Sequence, residues 1–262
     1  MLKKKKKRLL EEDNIMPEKI DHLAMIRRLR EMRLPVMADE LDNLMNSNHL
    51  GKMNTLETLK HLIDEEYTSR KNNTVRRFIK KARFSDSRAR LSELIPNPER
   101  EINMSVIEQL KTNQYISNRR NVILLGATGS GKSFIANALG VHACESGFTV
   151  KYTRMIELLS DLEISKIQGN YRQFLKQLGK LDVLIIDDFL LSATTQHEQQ
   201  DLMEVIEKRS RDRSTIFCSQ MEIEEWHRRL GSSAIADSIL DRIIPKSHKL
   251  ILKGESLRSI IE

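Results

Sequence analysis

The chain has 262 residues, 39% of them hydrophobic and 31% charged, with a net charge of +7 at pH 7, enough for one sizeable core plus a smaller module. Its 2 cysteines show no C-x-x-C or Cys/His spacing, so neither a disulfide framework nor a zinc site is suggested, and no apolar run approaches the roughly 18 residues of a membrane helix. The excess positive charge lies before residue 121, where 26 Lys and Arg face 18 Asp and Glu; after it, 18 face 19.

Residues 1–15 read as a disordered basic tail. The Lys3 to Arg8 run leads into Leu-Leu-Glu-Glu-Asp-Asn instead of the apolar core of a signal peptide, so a cytoplasmic location without a membrane partner is expected. Met16 begins a second, more ordinary opening, and residues 16–90 read as a small all-helical module. Leu23, Ile26 and Leu29 mark one helix, Leu34-Pro35 starts another, and Asn54-Thr-Leu-Glu57 reads as a capping box opening a long third helix that continues through Leu59, Leu62 and Ile63.

Residues 70–90 hold nine Lys and Arg against one acid, Asp86. Val75, Phe78, Ile79 and Ala82 fall on one helical stripe, which leaves Arg76, Arg77, Lys80, Lys81 and Arg83 largely on the other faces. That bias predicts an electrostatic footprint for a polyanion, with a membrane surface, a partner helix or a merely solvated face as alternatives. Residues 91–103, with Pro96 and Pro98, break the periodicity and read as a linker to a nucleotide-binding domain at 104–262.

Strands and helices then alternate. NVILL from Asn121, TVKYTR from Thr149, DVLIIDD from Asp182, STIFCSQ from Ser214 and a last strand near HKLIL predict an α/β fold, a five-stranded parallel sheet with helices on both faces. Ligands in such sheets bind at the C-terminal strand ends. The first strand runs into Gly126-Ala127-Thr128-Gly129-Ser130-Gly131-Lys132-Ser133, which fits G-x-x-x-x-G-K-[ST] at every fixed position. Backbone N–H groups of such a loop turn onto the α/β-phosphates of ATP at a helix N-terminus; Lys132 would reach the β/γ-phosphates and the Ser133 hydroxyl would sit on Mg²⁺. The third strand ends in Asp187 and Asp188, the first placed to take the metal and the second to orient or activate the attacking water, with a shorter arm than Glu. Ser219 and Gln220 end the fourth strand and either hydrogen-bond the γ-phosphate or water or cap the strand.

GATGSGKS, LIIDDF, STIFCSQ followed by Glu225-Trp226-His227, Ser238-Ile-Leu-Asp241-Arg242 and Gly254-Glu-Ser-Leu-Arg258 together resemble the IstB-like ATP-binding proteins. These are helper ATPases of bacterial insertion-sequence transposition in the same AAA+ branch as the helicase loader DnaC. The resemblance implies an AAA+ core in which Arg242 is an arginine finger presented to a neighbouring subunit's ATP and Arg258 a sensor arginine. The family usually reads DDFG, whereas Leu190 follows Phe189 here, which puts the flexibility of that loop in question.

The resemblance further implies an ATPase that assembles into oligomers on duplex target DNA and serves an IstA-like transposase contacted by the N-terminal helices. Lys151, Arg154, Lys166 and Arg172 are candidates for DNA contacts inside such an assembly. A DnaC-like helicase loader shares the ATP site and differs in its partner; a small-molecule P-loop kinase and a protein with inert bound nucleotide are the other classes.

Overall fold

The structure, a computed structural model, describes residues 21–47, 53–94 and 102–253. The Lys3 to Arg8 run, Met16, Pro96, Pro98 and the Gly254 to Arg258 segment lie outside the described residues. Two compact units divide at Asn73 and Thr74, inside the third helix.

The first unit contains α1 (His22–Glu31), α2 (Pro35–Asn46) and the first part of α3 (Thr55–Ala82). Each start either pairs or dispenses with backbone donors that the helix itself leaves unpaired. The Asp21 carboxylate accepts from Ala24 N at 3.1 Å, Pro35 occupies the first turn of α2 where an N–H is dispensable, and Asn54 and Glu57 form the expected capping box at 2.9 and 3.0 Å. Leu41, Leu44 and Leu62 make a small core, flanked by Leu29, Met37, Met45 and Met53.

The second unit adds α4 (Met104–Lys111), α5 (Gln114–Ser117), β1 (Asn121–Gly126), α6 (Lys132–Glu145), β2 (Val150–Arg154), α7 (Met155–Ile167), α8 (Tyr171–Lys180), β3 (Val183–Asp187), α9 (Gln196–Arg209), β4 (Ser214–Ser219), α10 (Ile223–Arg229), α11 (Ala234–Ile243) and β5 (Ser247–Leu252). The sheet order is β2-β3-β4-β1-β5, and every pairing is parallel, so all five C-terminal ends share one edge. The near-continuous apolar runs of β1, β3 and β4 follow from burial on both faces. Alternate residues serve different cores: Val122, Leu124, Ile185, Ile216 and Cys218 pack with α6, while Ile123, Leu125, Leu184, Ile186 and Phe217 pack with α7, α9, α10 and α11.

The last turns of α3 belong to the first of these cores, where Ala82 is buried and Phe78, Ile79 and Phe84 pack against it. At the opposite edge of the sheet the fully buried Arg209 donates to Thr215 Oγ1 at 3.1 Å, Leu181 O at 3.1 Å and Ser214 O at 2.6 Å, fixing α9 to the starts of the strands. A buried guanidinium is tolerable only with its donors satisfied in this way. Both cysteines are free and buried, and among the described residues no helix is long and apolar enough to cross a membrane.

Candidate functional site

Gly126 ends β1 opposite Leu252 of β5, and a Cβ there would lie 2.5 Å from the Leu252 carbonyl and 2.7 Å from Ser130 Oγ. Only a glycine lets the loop leave the sheet at this point. Gly131, at φ +96, then turns the chain into α6, a conformation open to glycine without steric cost. Lys132, 7% exposed, folds back over the loop and donates to the carbonyls of Gly126 and Ala127 at 2.7 Å each. Burial lowers the affinity of its amine for a proton, and the charges of Asp187 and Asp188 work against that shift. Ser130 Oγ is buried without a hydrogen-bond partner among the described residues, while Ser133 is exposed in the first turn of α6.

β3 delivers its acids to the same edge. Asp187, 4% exposed, accepts the Tyr152 hydroxyl on Oδ2 at 2.7 Å and the Asp188 N–H on Oδ1 at 2.9 Å. Asp188 adopts φ +53, half-buried, with Arg154 Nε 3.9 Å from its Oδ2. The strand register explains the neighbour, because Arg154 of β2 is paired with Asp187. Phe189 follows, packed edge-on against Phe217 at 4.8 Å and Trp226 at 4.9 Å. Leu190, the departure from the family pattern, holds φ +55 although it carries a side chain, and that side chain is completely buried. The chain thus keeps a left-handed turn at a position where glycine would be free of strain.

The two residues ending β4 differ. Ser219 is fully buried and its hydroxyl donates to Phe189 O at 2.8 Å while accepting from Met221 N at 3.1 Å and Trp226 Nε1 at 3.2 Å. Gln220 instead reaches the loop, its Oε1 accepting the Thr128 hydroxyl at 2.6 Å. Arg242 Nε donates to Glu207 Oε2 at 2.5 Å and its Nη1 to Ser238 O at 2.9 Å. Arg258 lies outside the described residues.

The candidate DNA contacts separate into groups. Arg76, Arg77, Lys80, Lys81 and Arg83 lie in or just after the last turns of α3, all of them exposed, and Lys81, Arg83 and Lys151 line one cleft of about 480 Å³. Lys151 lies 3.7 Å from Asp161. Lys166 is bonded to Asp201, Arg172 lines a different cleft with Lys176, Lys208 and Arg211, and Arg154 faces Asp188. Sequence reasoning passed over Tyr152, Asn137 and Ser85, which surround the acids and the loop; no spacing in the chain signals them.

The cradle fits a nucleotide phosphate chain: a glycine exit with no room for a side chain, an unpartnered buried hydroxyl in the loop, and an ammonium group held above it. No cluster of three His, Cys, Asp or Glu among the described residues could hold a metal ion. A divalent ion beside Asp187 and Ser133 would therefore take most of its ligands from phosphate and water, as Mg²⁺ does.

Comparison with known proteins agrees with this geometry. A putative insertion sequence ATP-binding protein of Sinorhizobium fredii is 32% identical over 88% of this chain and 93% of its own. The putative ATP-binding protein of insertion sequence IS1162 from Pseudomonas fluorescens is 35% identical over 74% and 84%. A crystal structure of the DnaC helicase loader shares the fold at a TM-score of 0.50 and 18% identity, over 63% of this chain and 97% of that one. The pattern of the IstB-like ATP-binding proteins matches residues 27–260, and with the loop, the paired acids and the five-stranded parallel sheet in place, the chain belongs to that AAA+ family of ATP-binding proteins.

Proposed function

We propose that the protein is the ATP-hydrolysing, DNA-binding helper of a transposase, assembling on duplex target DNA in the ATP state. The observation that carries this reading is the convergence of the Gly126–Ser133 loop, Asp187, Asp188 and Gln220 on one sheet edge, in a unit that also bears the basic end of α3. The loop amides and Lys132 bind the phosphates. Ser133 and Asp187 would hold Mg²⁺, which would supply charge neutralisation to the phosphate chain. Asp188 orients a water in line with the γ-phosphorus and accepts its proton as the bond to the ADP oxygen breaks, releasing ADP and phosphate. Gln220, already bonded to Thr128, reports on the γ-phosphate.

Arg242 completes the site of a neighbouring subunit, exchanging Glu207 for the developing phosphate charge, and Arg258 acts as a sensor arginine. ATP held between subunits then links assembly to DNA, whose phosphates supply affinity through many weak cationic contacts. The helices before residue 91 contact the transposase. A helicase loader would keep all of these residues and differ in what those helices bind.

Sedimentation with ATP and duplex DNA, alongside phosphate release, tests the reading. Asp188→Asn should accumulate large DNA-bound oligomers and turn over slowly; Arg242→Ala should stay monomeric and fail to hydrolyse. A monomeric Asp188→Asn protein, or normal turnover in Arg242→Ala, rules out the inter-subunit switch. Capture of a replicative helicase instead of the transposase by the full chain would move the protein to the loader class.

A further inference from the structure

The basic helix and the phosphate-binding edge are joined by one chain of side chains. Asn137, in the second turn of α6, donates to the Ser133 carbonyl at 2.7 Å and to the Ser85 hydroxyl at 2.8 Å. Its Oδ1 is buried without a partner, so these two donations set the orientation of the amide. The Ser85 side chain also adjoins the Tyr152 phenol, and Tyr152 directs its own hydroxyl proton to Asp187 Oδ2 at 2.7 Å. Ser85 thus touches the support of both Mg²⁺-side residues while lying outside the motifs that define them.

Two residues earlier, at the end of α3, Arg83 holds φ +57 and is exposed. With Lys81 and Lys151 it lines the cleft of about 480 Å³ that also takes in Asn170 and Phe174. Phe84 stands between Arg83 and Ser85. A Cβ on Gly140 would stand 2.5 Å from the Phe84 ring and 2.8 Å from Ile185, so the ring packs directly on α6 with no slack. Close packing transmits a displacement that a looser contact would absorb, and a network of polar side chains loses its geometry when one member shifts.

We propose that the Arg83–Phe84–Ser85 segment couples nucleic-acid phosphate bound at this cleft to the ATP site, with Ser85 and Tyr152 as positioning residues that act through Asp187. Arg83 and Lys81 engage the phosphate, Phe84 carries the shift along α6, and Ser85 and Tyr152 set where the Asp187 carboxylate points. The inference rests on the functional reading above, in which duplex binding and turnover are linked.

The test uses the full chain and its Tyr152→Phe, Ser85→Ala and Ser85→Thr variants. Three quantities are measured: equilibrium affinity for a duplex, equilibrium affinity for ATP with and without Mg²⁺, and phosphate release with and without the duplex. Tyr152→Phe and Ser85→Ala should bind duplex, and metal-free ATP, as the wild type does. Their stimulation of turnover by duplex should fall between about 2- and 30-fold, the span of coupling changes seen for residues linking two sites, with a weakened dependence of ATP affinity on Mg²⁺. Ser85→Thr, which keeps the hydroxyl, should restore the response. Full stimulation in both hydroxyl-deleted variants overturns the coupling alone. Parallel loss of duplex binding, ATP binding and thermal stability in them makes the chain a folding element and also overturns it. A wild-type protein that neither binds duplex nor responds to it overturns the functional reading, and the coupling with it.

Discussion

Two sets of cations within one compact unit work on different terms. Lys132 is almost withdrawn from water and holds two carbonyls at 2.7 Å, so its position is set by the backbone and its charge acts in a medium that screens it little. The cations at the end of α3 face water instead; the exposed Arg77, for one, lies 5.8 Å from the Phe78 ring. A single desolvated group carries a large free energy, whereas an exposed set acts by number and long-range field. The first kind of site is therefore broken by one substitution and the second only by several.

The largest effect should come from Asp188→Asn. Loss of a positioned base typically costs about 10²- to 10⁴-fold, so phosphate release should fall on that scale while equilibrium titration still shows ATP and Mg²⁺ bound. Lys132→Ala should follow, with kcat/KM down by about 10²- to 10³-fold, the usual consequence of deleting one charge-stabilising donor. Nucleotide affinity should fall with it, and unchanged affinity in titration would remove the lysine from the site.

Leu190→Gly is a smaller and sharper test of how the nucleotide edge is held. Relief of the left-handed backbone returns about 1–2 kcal/mol, but removal of a fully buried leucine costs about 3–5 kcal/mol. The net expectation is a loss of roughly 1–4 kcal/mol by chemical denaturation. A more stable variant would show that the backbone strain outweighs the packing of this turn.

The smallest effect per residue belongs to α3. Reversing Arg77 and Lys81 to Glu should weaken binding to all duplex sequences alike, because phosphate contacts carry no base information. The slope of log affinity against log salt should become shallower by about 0.9 for each DNA phosphate that is no longer neutralised. An unaltered slope would return α3 to a solvated face or a protein-binding surface.

Much of this could be read in the chain itself. The glycines, Lys132 and Ser133 stand at motif spacing, and a strand entering an acidic pair is visible in LIIDD, because a phosphate cradle is built mostly from backbone and tolerates few residue types. The parallel sheet was legible for a related reason: strands buried on both faces must be continuously apolar.

Other assignments depended on contacts between segments far apart in the chain. Ser219 and Gln220 are adjacent and equally polar, yet one is fully buried against Phe189 and Trp226 while the other reaches Thr128. Arg154 reads as one more cation until its register beside Asp187 places it 3.9 Å from Asp188. Ser85, Asn137 and Tyr152 carry no motif at all and meet only because the end of α3 packs onto α6 and the neighbouring strands. The sequence by itself determined the phosphate loop, the acidic strand end and the charge of α3, since each follows from local residue type and period. Which polar group faces the nucleotide and which faces the core was decided by the tertiary structure, because burial and hydrogen-bond partners are properties of the assembled strands and helices.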